Sequence, residues 1–304
     1  MTPAAARKRS DDASTAGEPG ERVFVLGAGR VGAGIALALA RCGVAVDGIW
    51  DRRAARLREL PRGLQVPSYC DPLVRVPWEA ASIILVCVSD TAIEPLGAEL
   101  AASGKLRCEH LVAHTSGAVA ARALSVAPAQ CASIHPVLAC SSAEQAARDL
   151  PGADFGLEGA ATARQRLHSL VQALGGVGFS IDSERKAEYH AACVLASNLV
   201  VALLGVAREH AALAGLSEAE RPLVRLARGA LQQAANHGLS EGLSGPIVRG
   251  DTATIQQHLS ALGNDLPLYR RLSRAALRLA AQRQAPVPNL EALAELLGDA
   301  EDVS

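Results

Sequence analysis

The sequence predicts an α/β protein in which a mostly parallel sheet is followed by a second, all-α domain. Short apolar runs typical of buried strands alternate with helical patterns as far as about residue 182, which favours a parallel sheet with right-handed crossovers. Beyond that point long helical patterns follow one another without a strand signal. We therefore expect a disordered tail at 1–20, a sheet domain at 21–182 and a helical domain at 183–304.

The strands and helices of the sheet domain are predicted from apolar periodicity. The run SIILVCV is continuously apolar, as expected of a strand buried on both faces. Gly175 and Gly176 end a helical pattern, as glycines commonly do at helix C-termini. The predicted strands are 22–29, 44–51, 82–88, 110–117, 131–136 and 177–181, and the predicted helices include 31–42, 53–60 and 161–174.

The helical domain is predicted to contain five helices separated by turns. In the turn at 243–251, Asp251 is the expected N-cap of the next helix. Arg249 in the same turn is a candidate for binding a substrate anion, with a plain surface position as the alternative. The predicted helices are 184–214, 217–237, 251–262, 265–283 and 288–297.

Charge and composition exclude several classes of protein. The 304 residues include 30 basic and 31 acidic side chains, a formal net charge of −1. A nucleic-acid-binding protein, or one held electrostatically on a membrane, would show a basic excess. The seven cysteines include no C-x-x-C pair, which argues against a zinc site or a secreted disulfide framework. We expect a protein of the reducing cytoplasm.

The longest apolar stretch, 191–207, is about one helical turn too short for a membrane span, and Ser197 and Asn198 interrupt it. Residues 1–20 have no continuous apolar core and do not resemble a signal peptide. We expect 191–207 to form a helix buried in a domain core or a dimer core. Its apolar surface exceeds what a small helical domain can cover, which predicts a homodimer.

A glycine-rich turn follows the first predicted strand and opens the first predicted helix. The string Gly27-Ala28-Gly29-Arg30-Val31-Gly32 is a G-x-G-x-x-G motif. Its first glycine allows the tight turn, the second lets a pyrophosphate approach the backbone, and the third lets helix and strand pack closely. The helix N-terminus offers free N–H groups to the phosphates. The pattern predicts a Rossmann-type domain that binds a dinucleotide, with a ligand-free glycine turn as the alternative.

The residues after the second strand give conflicting signals about the cofactor. Asp51 lies about 20 residues beyond the last glycine, where a carboxylate can bind both ribose hydroxyls of NAD. Arg52 and Arg53 follow at once, and arginines suit the 2′-phosphate of NADP. The choice between NAD and NADP therefore stays open.

Ligands of open α/β sheets bind outside the carboxyl ends of the strands, and this criterion selects four polar residues. Ser89, His114, Ser116 and His135 each follow an apolar strand. His135 precedes Pro136, which restricts its backbone to extended conformations; it can bind a substrate oxygen or be a buried histidine at a strand end. His114 has the weaker case. Ser116 can hold a substrate carboxylate or cap the next helix, and without a G-x-S-x-G elbow it is not a predicted nucleophile.

The first predicted helix of the helical domain carries a polar stripe. Lys186 and His190 are spaced i, i+4, Ser197 shares their face, and Asn198 lies at its edge. Lys186 is the only lysine of this domain, and a lysine can be tuned to exchange a proton near pH 7, which an arginine cannot. We predict catalytic roles for Lys186 and His190 and substrate binding by Ser197 and Asn198. The alternatives are a solvated Lys186 and a structural His190.

Several strings together resemble an uncharacterised family that joins a Rossmann-like domain to a helical C-terminal domain of unknown function. They cover most of 22–275. In that family an aromatic residue follows the His-Pro pair by four positions, whereas Cys140 stands here, so we expect a substrate pocket of different shape. The matching strings are VFVLGAGRVG, VSDTAI, HTSGA, SIHP, KAEYHAACVLASN, and GPIVRGD followed by His258 and Leu259.

This family is similar to the 6-phosphogluconate dehydrogenase superfamily, which includes ketopantoate reductases, 3-hydroxyacid dehydrogenases, pyrroline-5-carboxylate reductases and prephenate dehydrogenases. Members often use a lysine on the first helix after the nucleotide domain and an Asn or His one turn later; Lys186 and His190 match, although the usual Asn is absent. Prephenate dehydrogenases carry a His-Pro pair that His135-Pro136 resembles. The resemblances imply different proton donors, Lys186 or His135, and fold-level analogy leaves both open.

Together these patterns predict an NAD(P)-dependent oxidoreductase that transfers a hydride between nicotinamide and a small keto, hydroxy or imino carboxylate. The alternatives are a non-catalytic NAD(P)-binding sensor or scaffold, and a different Rossmann enzyme such as a methyltransferase or flavoprotein. The expected cofactor-binding residues are Gly27, Ala28, Gly29, Arg30, Val31, Gly32, Asp51, Arg52, Arg53 and Ser89.

Overall fold

The chain divides into two compact units, Met1–Ser197 and Asn198–Ser304, of which the computed structural model describes residues 20–298. The predicted fold class is confirmed: the first unit holds a mostly parallel sheet of Rossmann type, and the described part of the second is helical. The division falls after Ser197, whereas the sequence pattern placed the domain boundary at 182. The tail expected at 1–20 lies, except for Gly20, outside the described residues.

Eight strands of the first unit form one sheet. They are β1 (Arg22–Leu26), β2 (Ala45–Trp50), β3 (Ser68–Tyr69), β4 (Ile83–Val86), β5 (Leu111–His114), β6 (Gln130–Pro136), β7 (Asp154–Gly159) and β8 (Val177–Ser180). Their order is β3-β2-β1-β4-β5-β6-β7-β8, and every neighbouring pair is parallel except β6 with β7. Strands β2 and β3 lie on one side of β1, and the strands from β4 onward lie on its other side. The strand order therefore reverses between β1 and β4, and the ligand-binding crevice is expected at the carboxyl ends of these two strands.

Helices cover both faces of this sheet. Side chains alternate along β1, so Val23 and Val25 pack into one apolar core while Phe24 and Leu26 pack into a second core on the other face. The helices of this unit are α1 (Arg30–Arg41), α2 (Ala54–Arg58), α3 (Asp90–Ala102), α4 (Ala143–Asp149), α5 (Ala161–Ala173) and α6 (Lys186–Ala196).

The second unit has a small core of its own, contributed mainly by three helices near its C-terminal end. Asp251 accepts a hydrogen bond from the backbone N–H of Thr254 at 3.0 Å, which confirms the predicted N-cap. The helices are α7 (Asn198–Leu213), α8 (Glu220–His237), α9 (Leu239–Gly242), α10 (Thr252–Ala261), α11 (Leu266–Ala280) and α12 (Leu290–Leu297). The buried core side chains are Ile247, Ile255, Leu259, Ala280, Leu293 and Leu297.

The prediction of one continuous helix over 184–214 is wrong. Ser197 leaves the helical conformation (φ −127°, ψ −83°), so α6 ends at Ala196 and α7 begins at Asn198. The Ser197 hydroxyl donates to the carbonyl of Cys193 at 2.6 Å, a side-chain bond to the preceding turn of the kind that bends helices. Ser197 therefore does not extend the helix face that carries Lys186 and His190.

Of the two expectations for 191–207, burial in a domain core is not observed, because α7 contains no buried residue in the single chain. Burial in a dimer core stays a prediction. Within residues 20–298, Ser183–Leu213 is the one helical stretch that could cross a membrane by length and composition alone. The break at Ser197 divides it into helices of 11 and 16 residues, each shorter than the roughly 20 residues that a span requires.

Candidate active site

The glycine turn after β1 has the geometry that a dinucleotide requires. Gly27 has a φ of +111°, and a Cβ there would collide with the carbonyl oxygen of Cys87. A Cβ on Gly32 would collide with the carbonyl oxygen of Gly27, whereas at Gly29 the nearest atom would be an Arg56 side-chain nitrogen 3.5 Å away. Two of the glycines are thus required by packing, and the third leaves its backbone approachable. These residues fit a pyrophosphate at the N-terminus of α1, whose first turn contains no acidic side chain.

A pocket of about 310 Å³ opens beside this turn at the carboxyl ends of β1, β2 and β4. The Asp51 carboxylate is buried, with 4% of the residue exposed, and accepts hydrogen bonds from the backbone N–H groups of Ala28 at 3.0 Å and Arg53 at 2.9 Å. Asp51 therefore ties the end of β2 to the glycine turn. The lining residues that carry charge or a hydroxyl are Asp51, Arg52, Arg53, Arg56, Ser89, Thr91 and Glu99.

Two arginines are paired with Asp51 at the pocket wall. The Arg56 guanidinium is 3.5 Å from one carboxylate oxygen of Asp51, and that of Arg53 is 3.8 Å from the other. Arg52 is exposed and also lines the pocket. Arg56 was not predicted from the sequence. The one sequence feature that pointed to it is its position five residues after Asp51, on the short helix α2.

A second cluster lies at the carboxyl end of β6, where His135, Tyr189 and His190 meet. Tyr189 Oη is 2.7 Å from His135 Nδ1, and the two rings are perpendicular. The His135 and His190 ring centroids are 5.9 Å apart. A Cβ on Gly117, in the turn after β5, would lie 2.8 Å from His135 Nε2 and 2.6 Å from His190 Cδ2. The absence of a side chain at Gly117 therefore lets this turn pack against both imidazoles.

The environment of this cluster favours a neutral His135. Burial, followed by the nearby His190 and Lys186, lowers the pKa of His135 to about 4. Burial also raises the pKa of the Tyr189 hydroxyl above its ordinary value. At neutral pH the pair therefore consists of an uncharged imidazole and an uncharged phenol.

Lys186 lies in a buried ion pair below this cluster. Its Nζ donates to Glu158 Oε2 at 2.6 Å and to the Ser133 hydroxyl at 2.5 Å, and 2% of the residue is exposed. Glu158 also accepts from the backbone N–H of Ala121 at 3.0 Å. Burial alone would raise the pKa of Glu158, but Lys186 and the Ala121 N–H hold it below its usual value. The network joins α6 to β6, β7 and the turn that follows β5.

The other predicted residues are spread over several places. Ser116 uses its hydroxyl oxygen to accept the backbone N–H groups of Ala118 at 3.1 Å and Val119 at 3.0 Å, so it caps the turn after β5. Buried His114 accepts the backbone N–H of Ser116, and burial lowers its pKa to about 4. Arg249, in the second unit, is exposed and 4.0 Å from Asp251.

Three residues in or next to the cluster were given no role by the sequence reasoning: Glu158, Tyr189 and Gly117. Glu158 lies on the unpredicted strand β7, so its approach to Lys186 had no sequence signal. Tyr189 directly precedes His190 and is one of three tyrosines in the sequence, and these two facts were the available sequence signal for it. Among residues 20–298, no group of three or more His, Cys, Asp or Glu side chains is arranged to hold a metal ion.

Two domain families match the chain. A Rossmann-like domain matches residues 8–138, and a domain of unknown function, DUF2520, matches residues 153–276. These matches confirm the resemblance noted in the sequence. No curated protein matches the chain.

Solved structures share the fold over most of their length. A protein from Thermotoga maritima is 24% identical, with 85% of this chain and 98% of its own covered and a TM-score of 0.69. A protein from Bacteroides fragilis, provisionally described as an NADP oxidoreductase, is 23% identical over 84% and 98%, with a TM-score of 0.65. A pyrroline-5-carboxylate reductase from Coxiella burnetii is 17% identical over 91% and 99%, with a TM-score of 0.59. At these identities the likeness establishes a common fold.

Proposed function

Because this chain joins a Rossmann-like domain to a DUF2520 domain, we propose that it is an NAD(P)-dependent oxidoreductase acting on a small keto, hydroxy or imino carboxylate. One observation carries the proposal: the glycine turn with its pocket and the His135 cluster both lie at the carboxyl ends of the parallel strands. Ligands of open α/β sheets bind outside these carboxyl ends. The Coxiella protein is a reductase by name, and the Bacteroides protein is named for NADP.

The chain's own groups then have distinct roles. The backbone from Gly27 to Gly32 and the N-terminus of α1 hold the pyrophosphate, and the bound nicotinamide supplies or accepts the hydride. His135 binds the substrate carbonyl or imine, and His190 exchanges the proton. Lys186 positions α6 through its ion pair with Glu158, since its ammonium group is enclosed. Substrate binding by Ser116, Ser197, Asn198 and Arg249 stays a prediction.

Within this proposal NADP is the favoured cofactor. Each oxygen of Asp51 accepts a backbone N–H group and also faces a guanidinium, so few of its acceptor sites are left for ribose hydroxyls. Arg52, Arg53 and Arg56 surround it at the pocket wall, and a guanidinium can bind phosphate through two parallel hydrogen bonds. Glu99 is the other carboxylate of the pocket. Three arginines against one unpaired carboxylate suit a 2′-phosphate.

Cofactor titration tests this assignment. Nicotinamide fluorescence is followed while folded protein is titrated with NADPH and with NADH, and we expect the lower Kd for NADPH. The double variant Arg52→Ala/Arg53→Ala should weaken NADPH binding by about 10- to 100-fold and leave NADH unchanged, as expected for lost charge-assisted hydrogen bonds. Arg58→Ala, on the same short helix but outside the pocket, is the control. Tighter NADH binding would reverse the choice, and no binding of either would overturn the oxidoreductase proposal.

Turnover separates an enzyme from a non-catalytic NAD(P)-binding sensor. Keto and imino acids are screened with the reduced form of the preferred cofactor and hydroxy acids with its oxidised form, and the active substrate is then tested with His135→Asn. An enzyme loses kcat in this variant and keeps its cofactor affinity. Lys186→Ala is a poor choice for this purpose because it breaks a buried ion pair. Unchanged turnover in His135→Asn would contradict the role of His135.

We also propose that two copies of the chain pair through α7 and α8. Neither helix has a buried residue, and Val201 and Leu226 are 70% and 71% exposed. An apolar groove of about 670 Å³ in the second unit is lined in part by Leu203, Leu226 and Leu272. Contiguous apolar surface of this kind marks an interaction site. A second copy of the chain supplies the same apolar surface, and in a two-fold symmetric dimer each copy covers the exposed face of the other.

A further inference from the structure

Helix α6 places Tyr189 against three strands, β6, β7 and β8. Its hydroxyl lies 2.7 Å from His135 Nδ1, and a Cβ on Gly156 would lie 2.8 Å from that hydroxyl. Gly156 is the residue on β7 that pairs with His135 across the antiparallel ladder. On its other side the Tyr189 ring packs edge-on against Phe179, with centroids 5.9 Å apart. The phenol is therefore held by three elements, and its hydroxyl has room only because β7 carries a glycine there.

The direction of the hydrogen bond follows from the groups around the hydroxyl. Tyr189 has one proton to donate, and the acceptors near it are His135 Nδ1 and the thiol of Cys193, one turn along α6. An imidazole nitrogen accepts hydrogen bonds well, whereas a thiol sulfur is a weak acceptor. Donation from the Tyr189 O–H to Nδ1 gives the phenol proton the stronger acceptor, whereas the reverse bond, from Nδ1–H to the Tyr189 oxygen, would leave that proton to the thiol. A neutral imidazole that accepts at Nδ1 carries its proton on Nε2.

We propose that Tyr189 is a positioning residue that holds His135 as its Nε2–H tautomer, so that a neutral imidazole donates a hydrogen bond to the carbonyl oxygen or imine nitrogen of the substrate. The inference rests on the proposed function for the identity of the acceptor, but not for the tautomer. Among residues 20–298, the hydrogen-bond partner of the His135 ring is Tyr189, which uses Nδ1. Nε2 is therefore the ring nitrogen left for a ligand. A neutral imidazole used in this way polarises the acceptor without giving up its proton.

The tautomer is measured by long-range ¹H–¹⁵N correlation NMR on protein labelled with ¹⁵N-histidine, at neutral pH and without substrate. The signals of His135 are identified by their loss in His135→Asn. In the wild type we expect a protonated Nε2 and an unprotonated, hydrogen-bonded Nδ1. An Nδ1–H pattern, or a doubly protonated ring, would overturn the proposal without any variant.

Two tyrosine variants show whether Tyr189 is responsible. Tyr189→Phe keeps the ring contacts and removes the hydroxyl, and should shift the His135 Nδ1 resonance and admit the Nδ1–H form. Tyr269→Phe is the matched control, because Tyr269 Oη lies 2.7 Å from His258 Nδ1 in the second unit with the same perpendicular ring geometry. It should change His258 and leave His135 as in the wild type. An unchanged His135 in Tyr189→Phe would overturn the role of Tyr189.

Kinetics then connect the tautomer to the reaction. With a substrate from the screen, Tyr189→Phe should lower kcat about tenfold or more, as expected for a weakened hydrogen bond to the reacting group, with the KM for cofactor unchanged. An unchanged kcat would contradict the positioning role. If the folded protein binds no nicotinamide cofactor, the proposed function fails, and the NMR result still decides the tautomer on its own.

Discussion

Lys186 and Glu158 bury opposite charges where α6 meets the sheet, with 2% of each side chain exposed. Removing one partner leaves an uncompensated buried charge, which typically costs about 3–5 kcal/mol. We predict a loss of that size in the free energy of unfolding for Lys186→Met, measured by denaturant titration, and a smaller loss for Lys186→Met/Glu158→Leu. Arg185→Met breaks the exposed pair with Glu188 next to it and should cost less than about 1 kcal/mol. Equal effects of the two single variants would contradict the role given to burial.

The same pair predicts a dependence of stability on acid pH. The pKa of Glu158 is lower in the folded protein than its ordinary value of 4.5, so the unfolded chain binds the proton more readily. The stability that ionised Glu158 contributes is therefore present above about pH 4.5 and is lost as the pH falls through the folded pKa. We expect the difference in unfolding free energy between wild type and Lys186→Met/Glu158→Leu to shrink between about pH 6 and about pH 3. A difference that does not change with pH would mean that the pKa of Glu158 is the same in the folded and unfolded protein, and a difference that grows as the pH falls would mean that the folded pKa is raised.

Single residues also mark how far sequence reasoning reaches. The glycine turn, Asp51 and His135 were predicted because each follows an apolar strand, a relation that is local in sequence. The partners of Lys186 were not, because Ser133 and Glu158 are 53 and 28 residues away and meet it only through the pairing of β6 with β7. Lys186 itself has the spacing of a catalytic residue, and only its burial distinguishes an ion-paired lysine from an exposed one.

At the scale of elements, the close packing of α1 on α4 depends on a glycine. A Cβ on Gly34 would lie 2.5 Å from the Cβ of Ala146. We predict that Gly34→Ala destabilises the protein by about 1–3 kcal/mol, the usual cost of overpacking, as measured by denaturant titration. A stabilising Gly34→Ala would show that the two helices can separate at little cost.

Strands and helices were predicted where an apolar run was long enough to show its periodicity, and they were missed where the run was short. Strands β1, β2, β4, β5, β6 and β8 were found from apolar runs. Strand β7 was missed because two of its six residues are glycines, which are depleted in strands, and its two apolar residues make only a brief alternation. The break between α6 and α7 was missed because the apolar pattern of a helix continues through Ser197. The pattern does not reveal the bond from the Ser197 hydroxyl to the Cys193 carbonyl at the end of α6.

At the scale of the whole molecule, the exposed apolar faces of α7 and α8 predict a homodimer. We expect light scattering at micromolar concentration to give twice the chain mass for the wild type, and Val201→Glu/Leu226→Glu to give a monomer with unchanged helix content, because both side chains are exposed in the single chain. Val74→Glu, at a site 55% exposed in the first unit, should leave the dimer intact. A monomeric wild type would remove the dimer proposal.

The antiparallel strand β7 has a consequence for dissecting this protein into fragments. Residues 153–276 match DUF2520, yet β7, β8 and α6 lie in the first compact unit with the Rossmann-like sheet. A fragment cut at the boundary between the two matched families would end at β6 as an open edge, prone to pair with other chains, and would lose Glu158 and Tyr189. A cut at 182 would restore the sheet but still separate His135 from Tyr189. A fragment that extends to Ser197 keeps the cluster intact, so the boundary between the matched families and the boundary between the compact units of this chain do not coincide.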